Sequence, residues 1–481
     1  MLLGSSCDSF LEETPTSFIS PDNFFATEAD AEAAVVACYN KLGAGNKGTH
    51  GDWRDWIFEY INDDFKSRPA SGTINVSLFI SMVPEEPMIF ESYRSFTSGL
   101  NTFNSAIEGI GAMEDFNQKE ALISEAKFIR AYIYFHLVRL WGRVPLYENV
   151  LTAEEALSLE RVDNIDKIYT LIVEDLEYAV ANLPEVQTLE GRATKWAAMS
   201  LLSKVYLTQE NWTNAAQLAK EVIDQGPHSL LENYGDVFDD ANENNNESIF
   251  EIQMQIGVEK SNQVANWPRG IGATGADDYF LGPNWGGVYI ATDDLLNDFE
   301  AGDDRRNYIA TSVVRSDGTL IEFNADGLTP NYSIKRTPTA YIEGLESNNN
   351  SSYNFIYLRL ADVYLMAAEA ENEVNGPSGA LMYINEVRNR AGLANLEVVN
   401  PSASVDQSIF REAVRKERRT ELYDERHRLF DLLRWGNLVS NVQAARPDVS
   451  IQPHHVLWPI PVSAILNNPG LEGDQNPGYT D

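Results

Sequence analysis

Apolar side chains recur at steps of three and four residues along KEALISEAKFIRAYIYFHLVRLW, residues 119–141. Because an α-helix turns once in about 3.6 residues, this spacing places them on one helical face. The face consists of Leu122, Ala126, Ile129, Ile133, Leu137 and Leu140. A second apolar stripe consists of Phe128, Tyr132 and Phe135. We therefore expect a helix buried on two sides, which Gly142 and Pro145 end.

The stretch RATKWAAMSLLSKVYLTQENWTNAAQLAKEVIDQGP, residues 192–227, predicts two helices joined by a short turn at Glu210 and Asn211. Two packed helices within about 34 residues are typical of the tetratricopeptide repeat. Ser203 in the first helix and Ala215 and Ala219 in the second are small, and this allows the two backbones to approach closely.

Two further stretches predict the same helical hairpin. YLRLADVYLMAAEAENEVNGPSGALMYINEVRNRAG, residues 357–392, keeps small residues at Ala367, Ala368 and Ala380, although Glu371 replaces the expected tyrosine. The helix at 119–141 would form a third pair with IDKIYTLIVEDLEYAVANLP, residues 165–184. The predicted fold class is therefore mainly α, with a tetratricopeptide-like scaffold of helical pairs.

The pattern changes between about residues 228 and 354. Asn, Asp, Gly and aromatic residues dominate there, and short alternating runs such as SIFEIQMQI predict strands. Long loops in a compact domain are usually functional or disordered, and the aromatic content argues against disorder. We expect a loop-rich lobe with short strands, inserted between helices at about 27–226 and 355–435. The functional site is expected on this lobe.

The charge of the chain excludes one class of partner. Its 481 residues include 72 acidic and 36 basic side chains, a formal net charge of −36. Such a field repels polyanions, so nucleic acid is not expected as a partner. No uncharged apolar stretch reaches the roughly 18 residues that a membrane-spanning helix needs.

Motifs of nucleophilic, nucleotide-binding or zinc-dependent enzymes are absent from the sequence. The segment RKERRTELYDERHRLFDLLRWG places Glu417, Glu421 and Glu425 in one helical row. Paired carboxylates could serve a glycosidase. However, the interleaved arginines should hold the acids ionised rather than raise the pKa of a general acid. We interpret the segment as a structural salt-bridge helix, in which Arg418, Arg428 and Arg434 meet acids three or four residues away.

No cofactor or metal is expected, with calcium as the one alternative. The run DDANENNNES, from Asp239 to Ser248, offers oxygen ligands of the kind that calcium prefers. It lacks the spacing and the glycine of an EF-hand, so a hydrated loop is the preferred interpretation.

Aromatic residues form the strongest candidate for a binding site. NWPRGIGATGADDYFLGPNWGGVY contains rings among glycines and prolines, and GDWRDWIFEYINDDF adds Trp53 near the N-terminus. A ring can cover the apolar face of a sugar while neighbouring polar groups bind its hydroxyls. The predicted ligand-binding residues are Trp53, Trp267, Arg269, Asp278, Tyr279, Asn284, Trp285 and Tyr289. The alternative is that these rings pack the lobe onto the helices.

Cys7 raises the question of location. The chain has two cysteines, Cys7 and Cys38, so Cys7 is a stray thiol, half of one disulfide, or a lipidation site. Leu2 and Leu3 resemble the end of a longer secretory leader, and Ser6 supplies a small residue before the cysteine. Cys38 lies in a predicted helix beginning after Thr27, and we expect it to be buried.

Four stretches together resemble the SusD/RagB family of surface glycan-binding lipoproteins. They are CDSFLEETPTSFISPDNFFATEADAEAAVVACYN, SEAKFIRAYIYFHLVRLWGRVPL, RLADVYLMAAEAENEVNG with INEVRNRAGL, and RRTELYDERHRLFDLLRWG leading to LWPIPVSAILNNPGLEGDQNPGY. They follow the order of the family from residue 7 to residue 479. One departure is Arg426, where the family often has glycine.

The resemblance implies a non-catalytic protein that captures an oligosaccharide or polysaccharide and passes it to a SusC-like TonB-dependent outer-membrane transporter. It implies lipidation at Cys7 and attachment to the cell surface, with residues 1–22 as leader remnant and tether and 23–481 as one domain. FLGPNWGGVYIATDDLLNDFEAGDDRR matches a family stretch near the ligand site and favours Trp285. Two other functions stay open: a helical glycoside hydrolase, and a tetratricopeptide-type scaffold for protein interactions.

Overall fold

The computed structural model describes residues 24–43, 49, 57–66, 76, 78–254, 290–314, 320–322, 331–333, 335 and 352–480. Helices dominate these ranges. In chain order they are α1 (Glu28–Asn40), α2 (Ile57–Tyr60), α3 (Pro87–Thr97), α4 (Leu100–Ala112), α5 (Lys119–Trp141), α6 (Ala153–Ala156), α7 (Asp166–Asn182), α8 (Lys195–Thr208), α9 (Trp212–Gln225), α10 (Asp293–Asp298), α11 (Leu360–Asn375), α12 (Pro377–Arg390), α13 (Leu396–Val399), α14 (Gln407–Leu422), α15 (Arg428–Arg434), α16 (Leu438–Ala445) and α17 (Val462–Asn467).

The strands are short and belong to three small antiparallel sheets. In chain order they are β1 (Phe65–Lys66), β2 (Ser248–Ile252), β3 (Ile290–Ala291), β4 (Ile309–Ala310), β5 (Ser312–Val314), β6 (Leu320–Glu322), β7 (Tyr332–Ser333) and β8 (Phe355–Arg359). One sheet has the order β1-β3-β7-β4, and the other two are the pairs β2-β8 and β5-β6. Strand β2 confirms the strand expected within SIFEIQMQI.

The three predicted helical pairs are confirmed. Helix α5 packs on α7, α8 on α9, and α11 on α12, and α9 also packs against α11, so the pairs form one continuous scaffold. Small side chains bring α8 and α9 together: Ser203 is fully buried and its hydroxyl donates to the Ala215 carbonyl at 2.8 Å. The turn between them contains Glu210 at a φ of 57°.

The ends of individual helices follow from their local sequence. Thr27 caps α1, and the Asp30 carboxylate accepts the Thr27 backbone N–H at 2.7 Å. This reciprocal arrangement is a capping box. Gly142 ends α5 with a φ of 65°, in the left-handed region that favours glycine. Cys38 is completely buried in α1, as expected.

The main hydrophobic core runs through all the helical pairs and continues into the C-terminal segment. The Trp141 and Trp458 rings meet edge to face with centroids 5.2 Å apart. The indole N–H of Trp141 donates to the Pro459 carbonyl at 3.1 Å. The C-terminal segment is thereby fastened to the end of α5. Among the described ranges, no helix is both long enough and apolar enough to cross a membrane.

Candidate functional site

The candidate ligand residues lie outside the described residues. This holds for Trp53, Trp267, Arg269, Asp278, Tyr279, Asn284, Trp285 and Tyr289, and also for Cys7. The structure therefore neither brings these side chains together nor separates them, and the predicted glycan site stays a prediction. The structure does describe the strands and helices that flank these segments in the chain.

Strands β1 and β3 connect the two candidate segments. Phe65 pairs with Ala291 and Lys66 with Ile290. Strand β3 begins directly after Tyr289, the last predicted ligand residue of the long segment, and β1 follows the segment that contains Trp53. The chain thus places one end of each candidate segment on the same small sheet.

Hydrogen bonds and ion pairs hold this sheet on the helical scaffold. The Thr292 hydroxyl donates to the Asp63 carbonyl at 2.8 Å, and its backbone N–H donates to the Asp64 carbonyl at 2.9 Å. Arg419 on α14 donates to the Asp64 carboxylate at 2.7 Å. Arg428 on α15 donates to both carboxylate oxygens of Asp63, at 2.7 and 2.6 Å. Because charge-assisted bonds are strong and directional, they give the sheet a fixed base.

A buried ionic layer lies beneath the strands, with Arg359 at its centre. The Arg359 guanidinium donates to Glu425 at 2.6 and 2.8 Å. It also donates to Glu421 at 2.6 Å and to Glu247 at 2.9 Å. Strand β8 carries Arg359, Glu247 immediately precedes β2, and Glu421 is on α14. One side chain therefore ties the β2-β8 sheet to a helix of the scaffold.

Other cations complete the layer. Arg390 contacts Glu421 and donates to Glu247 at 2.9 Å. Arg305 donates to Glu421 at 3.0 Å. The Lys335 ammonium contacts Glu425 and donates to the Tyr423 carbonyl at 2.8 Å. Each carboxylate is thus surrounded by at least two positive groups.

These surroundings decide the ionisation of the acids. Burial by itself raises the pKa of Glu425, but Arg359 and Lys335 outweigh it and hold that pKa at about 2. The pKa of Glu421 is likewise lowered, because Arg390, Arg359 and Arg305 outweigh burial. A glycosidase needs one carboxyl that stays protonated beside its substrate. Glu421 and Glu425 are ionised and buried, so the interpretation as structural ion pairs is supported.

Two details of the salt-bridge prediction are wrong. Helix α14 ends at Leu422, so Glu425 does not continue the helical row of Glu417 and Glu421. Arg418 and Arg428 do not meet acids three or four residues away. Arg418 instead binds Asp362 at 3.0 Å and Asp431 at 2.9 Å, and Arg428 binds Asp63. The reason is that tertiary packing brings distant acids closer than helical neighbours. Only the prediction for Arg434 is confirmed, with Asp431 at 2.9 Å and three residues away.

Sequence reasoning missed the partners of this layer. Arg359, Glu247, Arg305 and Lys335 are all buried, yet none was singled out from the sequence. A usable signal existed at β8, where a single arginine interrupts the apolar run FIYLRL. A charge within a buried strand almost always has a buried partner.

Two acids of the run from Asp239 to Ser248 already have partners within the protein. The Asp239 carboxylate accepts the Ala241 N–H at 3.0 Å. Glu247 binds Arg359 and Arg390. Within the described part of the chain, no three His, Cys, Asp or Glu side chains are grouped so as to hold a metal ion.

Comparison with known proteins assigns the family. A profile of the SusD family matches residues 305–479. A second profile, described as starch-binding associating with outer membrane, matches residues 9–207. The SusD-like protein P25 of Formosa agariphila is 34% identical, over 98% of this chain and 97% of that protein. The starch-binding protein SusD of Bacteroides thetaiotaomicron is 27% identical, over 79% of this chain and 76% of that protein.

A solved structure shows the same fold. A laminarin-binding SusD-like protein superposes with a TM-score of 0.78 at 26% identity, covering 94% of this chain and 100% of its own. The two profile matches, the superposed fold and the alignment with P25 along nearly the whole chain agree, and the protein belongs to the SusD family.

Proposed function

We propose that this protein is a non-catalytic, cell-surface binder of an oligosaccharide or polysaccharide. The observation that carries the proposal is the end-to-end likeness to SusD-like proteins, one of which is described as laminarin-binding and superposes at a TM-score of 0.78. The binding residues proposed are those of the two aromatic segments, with Trp285 as the principal ring. The fixed sheet of β1 and β3, from which both segments leave, supports this assignment because a rigid base reduces the entropy lost on binding.

Weak binding suits such a protein. A stacked ring contributes about 0.5–1.5 kcal/mol beyond the apolar area that it buries. A few rings and solvent-exposed hydrogen bonds therefore give dissociation constants of roughly micromolar to millimolar. This affinity is sufficient to capture a glycan chain and still release it to a transporter.

The proposed partner is a SusC-like TonB-dependent transporter in the outer membrane. The profile described as associating with outer membrane supports this location. Attachment through lipid on Cys7 would leave residues 8–22 as a tether, so that the folded body moves over the transporter. Mass spectrometry of the native protein should find Cys7 acylated, and an unmodified Cys7 would refute the anchor. Co-purification of the transporter with the tagged full-length protein tests the partner.

The central experiment is native gel electrophoresis in gels containing laminarin, starch or other neutral polysaccharides. The full chain should be retarded by at least one polysaccharide. Trp285→Ala should weaken that retardation while the melting temperature stays nearly unchanged. Trp212→Ala, which changes a half-buried tryptophan on the helical scaffold, is the matched control and should bind normally.

The same incubations separate the alternatives. New reducing ends in the polysaccharide would establish a hydrolase, and retardation by no glycan would favour a protein-interaction scaffold. Loss of stability in Trp285→Ala with intact binding would show that this ring packs the lobe. The proposal assigns no cofactor to capture, so EDTA should leave retardation unchanged. Loss of retardation in EDTA would instead support calcium at Asp239–Ser248.

A further inference from the structure

A cavity of about 290 Å³ lies between α3, the segment from Val144 to Leu159, and the C-terminal stretch from Ala464 to Leu471. Small-molecule sites usually measure about 300–1,000 Å³, and this cavity lies at the lower limit of that range, which suits only a small ligand. None of its lining residues belongs to strands β1–β8. The cavity is therefore separate from the three small sheets.

Aromatic and aliphatic side chains form most of the wall. Phe90, Tyr93 and Tyr147 contribute rings, and Leu100, Leu137 and Val144 add apolar surface. The Tyr93 ring is fixed against Trp141, edge to face, with centroids 5.1 Å apart. The wall thus offers rigid ring surface of the kind that covers the C–H face of a sugar.

Two tyrosine hydroxyls in this wall make no hydrogen bond to a described residue. The Tyr93 side chain is mostly buried, with 6% of the residue exposed, and its hydroxyl makes no hydrogen bond with any described residue. The Tyr147 backbone N–H donates to the Tyr134 hydroxyl at 3.2 Å, but the hydroxyl of Tyr147 itself has no bond to a described residue. Burial raises the pKa of Tyr93 and raises that of Tyr147 to about 12.

Neither phenol oxygen is one of the fully buried polar atoms that lack a hydrogen bond, so both can be reached from the cavity that their side chains line. Arg161 carries a charge near Tyr93, but its donors bind elsewhere, for example the Arg143 carbonyl at 2.6 Å. The two hydroxyls are therefore available to a ligand that supplies its own donors and acceptors. Because burial raises the pKa of both phenols, both are protonated and neutral at physiological pH, and they exchange hydrogen bonds rather than charge.

The rim adds polar groups and selects against anions. Arg94 lines the cavity, but its guanidinium donates to Glu91 at 2.9 Å. Asn467 is exposed at the opening. The neighbouring segment carries four exposed acids, Glu148, Glu154, Glu155 and Glu160. Their field disfavours an anionic ligand.

We propose that this cavity is a second saccharide site, which takes one or two residues at the end of a neutral glycan. The cavity matches a neutral sugar in three ways. Its ring faces can cover the C–H surface, its two phenols can bind the hydroxyls, and the exposed acids nearby disfavour an anion. The site goes beyond the proposed capture of long chains by the lobe. It would hold a chain end while the lobe holds the body of the polysaccharide.

Saturation-transfer NMR on the full chain tests the site, with methyl glucopyranoside, methyl galactopyranoside, maltose and laminaribiose as the probes. Tyr93→Phe and Tyr147→Phe each remove one hydroxyl and keep the ring. Each should weaken binding about three- to tenfold, the effect of one lost hydrogen bond. Ala156→Trp places a large ring in the cavity wall and should abolish this binding.

Tyr206→Phe is the matched control. Its hydroxyl binds Glu177 at 3.1 Å on the helical scaffold, so its removal should leave glycoside binding unchanged. Unaltered gel retardation of Ala156→Trp by long polysaccharide would show that the lobe works independently. The second site is overturned if none of the four probes binds, if Ala156→Trp binds them as well as the wild type does, or if the cavity takes only an apolar dye.

Discussion

The helical scaffold and the ionic layer beneath the strands are both buried, but different physical effects hold them together. In the scaffold, α8 and α9 approach through small side chains, and one hydroxyl, that of Ser203, bonds to the facing backbone. In the ionic layer, Arg359 binds three carboxylates that are distant from it in sequence. A small change in an apolar contact costs a small amount of stability. Removing the partner of a buried charge costs much more, because the remaining charge stays buried without compensation. The two regions should therefore respond very differently to single substitutions.

The largest effect is expected for Arg359→Ala. Removing one partner of a buried ionic group costs about 3–5 kcal/mol, because the remaining charges stay buried without compensation. Here Glu247, Glu421 and Glu425 would lose their shared cation, although other cations still contact them. Urea denaturation should show the loss in unfolding free energy.

The matched control for this prediction is Lys167→Ala. Its ion pair with Asp163 is exposed, with 60% and 77% of the side chains accessible, and such pairs contribute about 0–1 kcal/mol. If Arg359→Ala proved no more destabilising than Lys167→Ala, the ionic layer would not be the base of the strands.

A smaller effect is expected in the scaffold for Ser203→Leu. Overpacking a well-filled interface costs about 1–3 kcal/mol, and Ser203 is fully buried against α9. Ser203→Ala is the control, because it removes the hydrogen bond to Ala215 and adds no volume, and it should cost about 1 kcal/mol. Equal stability of the two variants would contradict close approach of the helices at this point.

The pH dependence of stability sharpens the contrast, through His427. Burial and the Lys204 charge lower the pKa of this imidazole to about 3, from 6.5 in the unfolded chain. Between these values the unfolded state binds the extra proton, so stability falls as the pH decreases from about 6.5 towards 3. The slope from one such group is at most about 1.4 kcal/mol per pH unit.

His427→Gln isolates this contribution. The difference in unfolding free energy between the wild type and the variant should change across the window from pH 6.5 to pH 3 and stay constant above it. Carboxylates with lowered pKa values add a second loss at lower pH. Glu425 is one, since its pKa falls from 4.5 to about 2, so its contribution is present above pH 4.5 and disappears below it. A constant difference throughout the acid range would show that His427 titrates normally.

The contrast also explains how much the sequence could predict. The helices at 119–141 and in the two hairpins were predictable because their apolar periodicity, small residues and caps are local signals. The partners of Arg359 were not, because Glu425 lies 66 residues away and nothing local specifies such a distance. The ligand residues rest on composition and resemblance, since sugar-binding loops have no periodicity from which their geometry follows.

The end of α14 shows the same limit at a single turn. No glycine or proline marks the segment LYDERH, yet the helix ends at Leu422. Asp424 and Arg426 instead take positive φ values of 58° and 65°. Tertiary contacts impose this turn: the Arg426 backbone N–H donates to Glu59 at 2.7 Å, and Lys335 binds the Tyr423 carbonyl.

The smallest effect is expected for Arg426→Gly, which introduces the glycine expected at this position from the resemblance to the SusD family. Glycine adopts a φ of 65° without the roughly 1–2 kcal/mol that other residues lose there. The substitution also removes a guanidinium lying 4.0 Å from the centre of the Phe355 ring, a contact that contributes about 0.5–2 kcal/mol. The two terms oppose each other, so the unfolding free energy should change by less than about 1 kcal/mol.

Arg426→Ala separates the two terms, because it loses the ring contact and keeps the unfavourable φ. It should be less stable than Arg426→Gly by urea denaturation, and equal stability would mean that the turn carries no backbone strain.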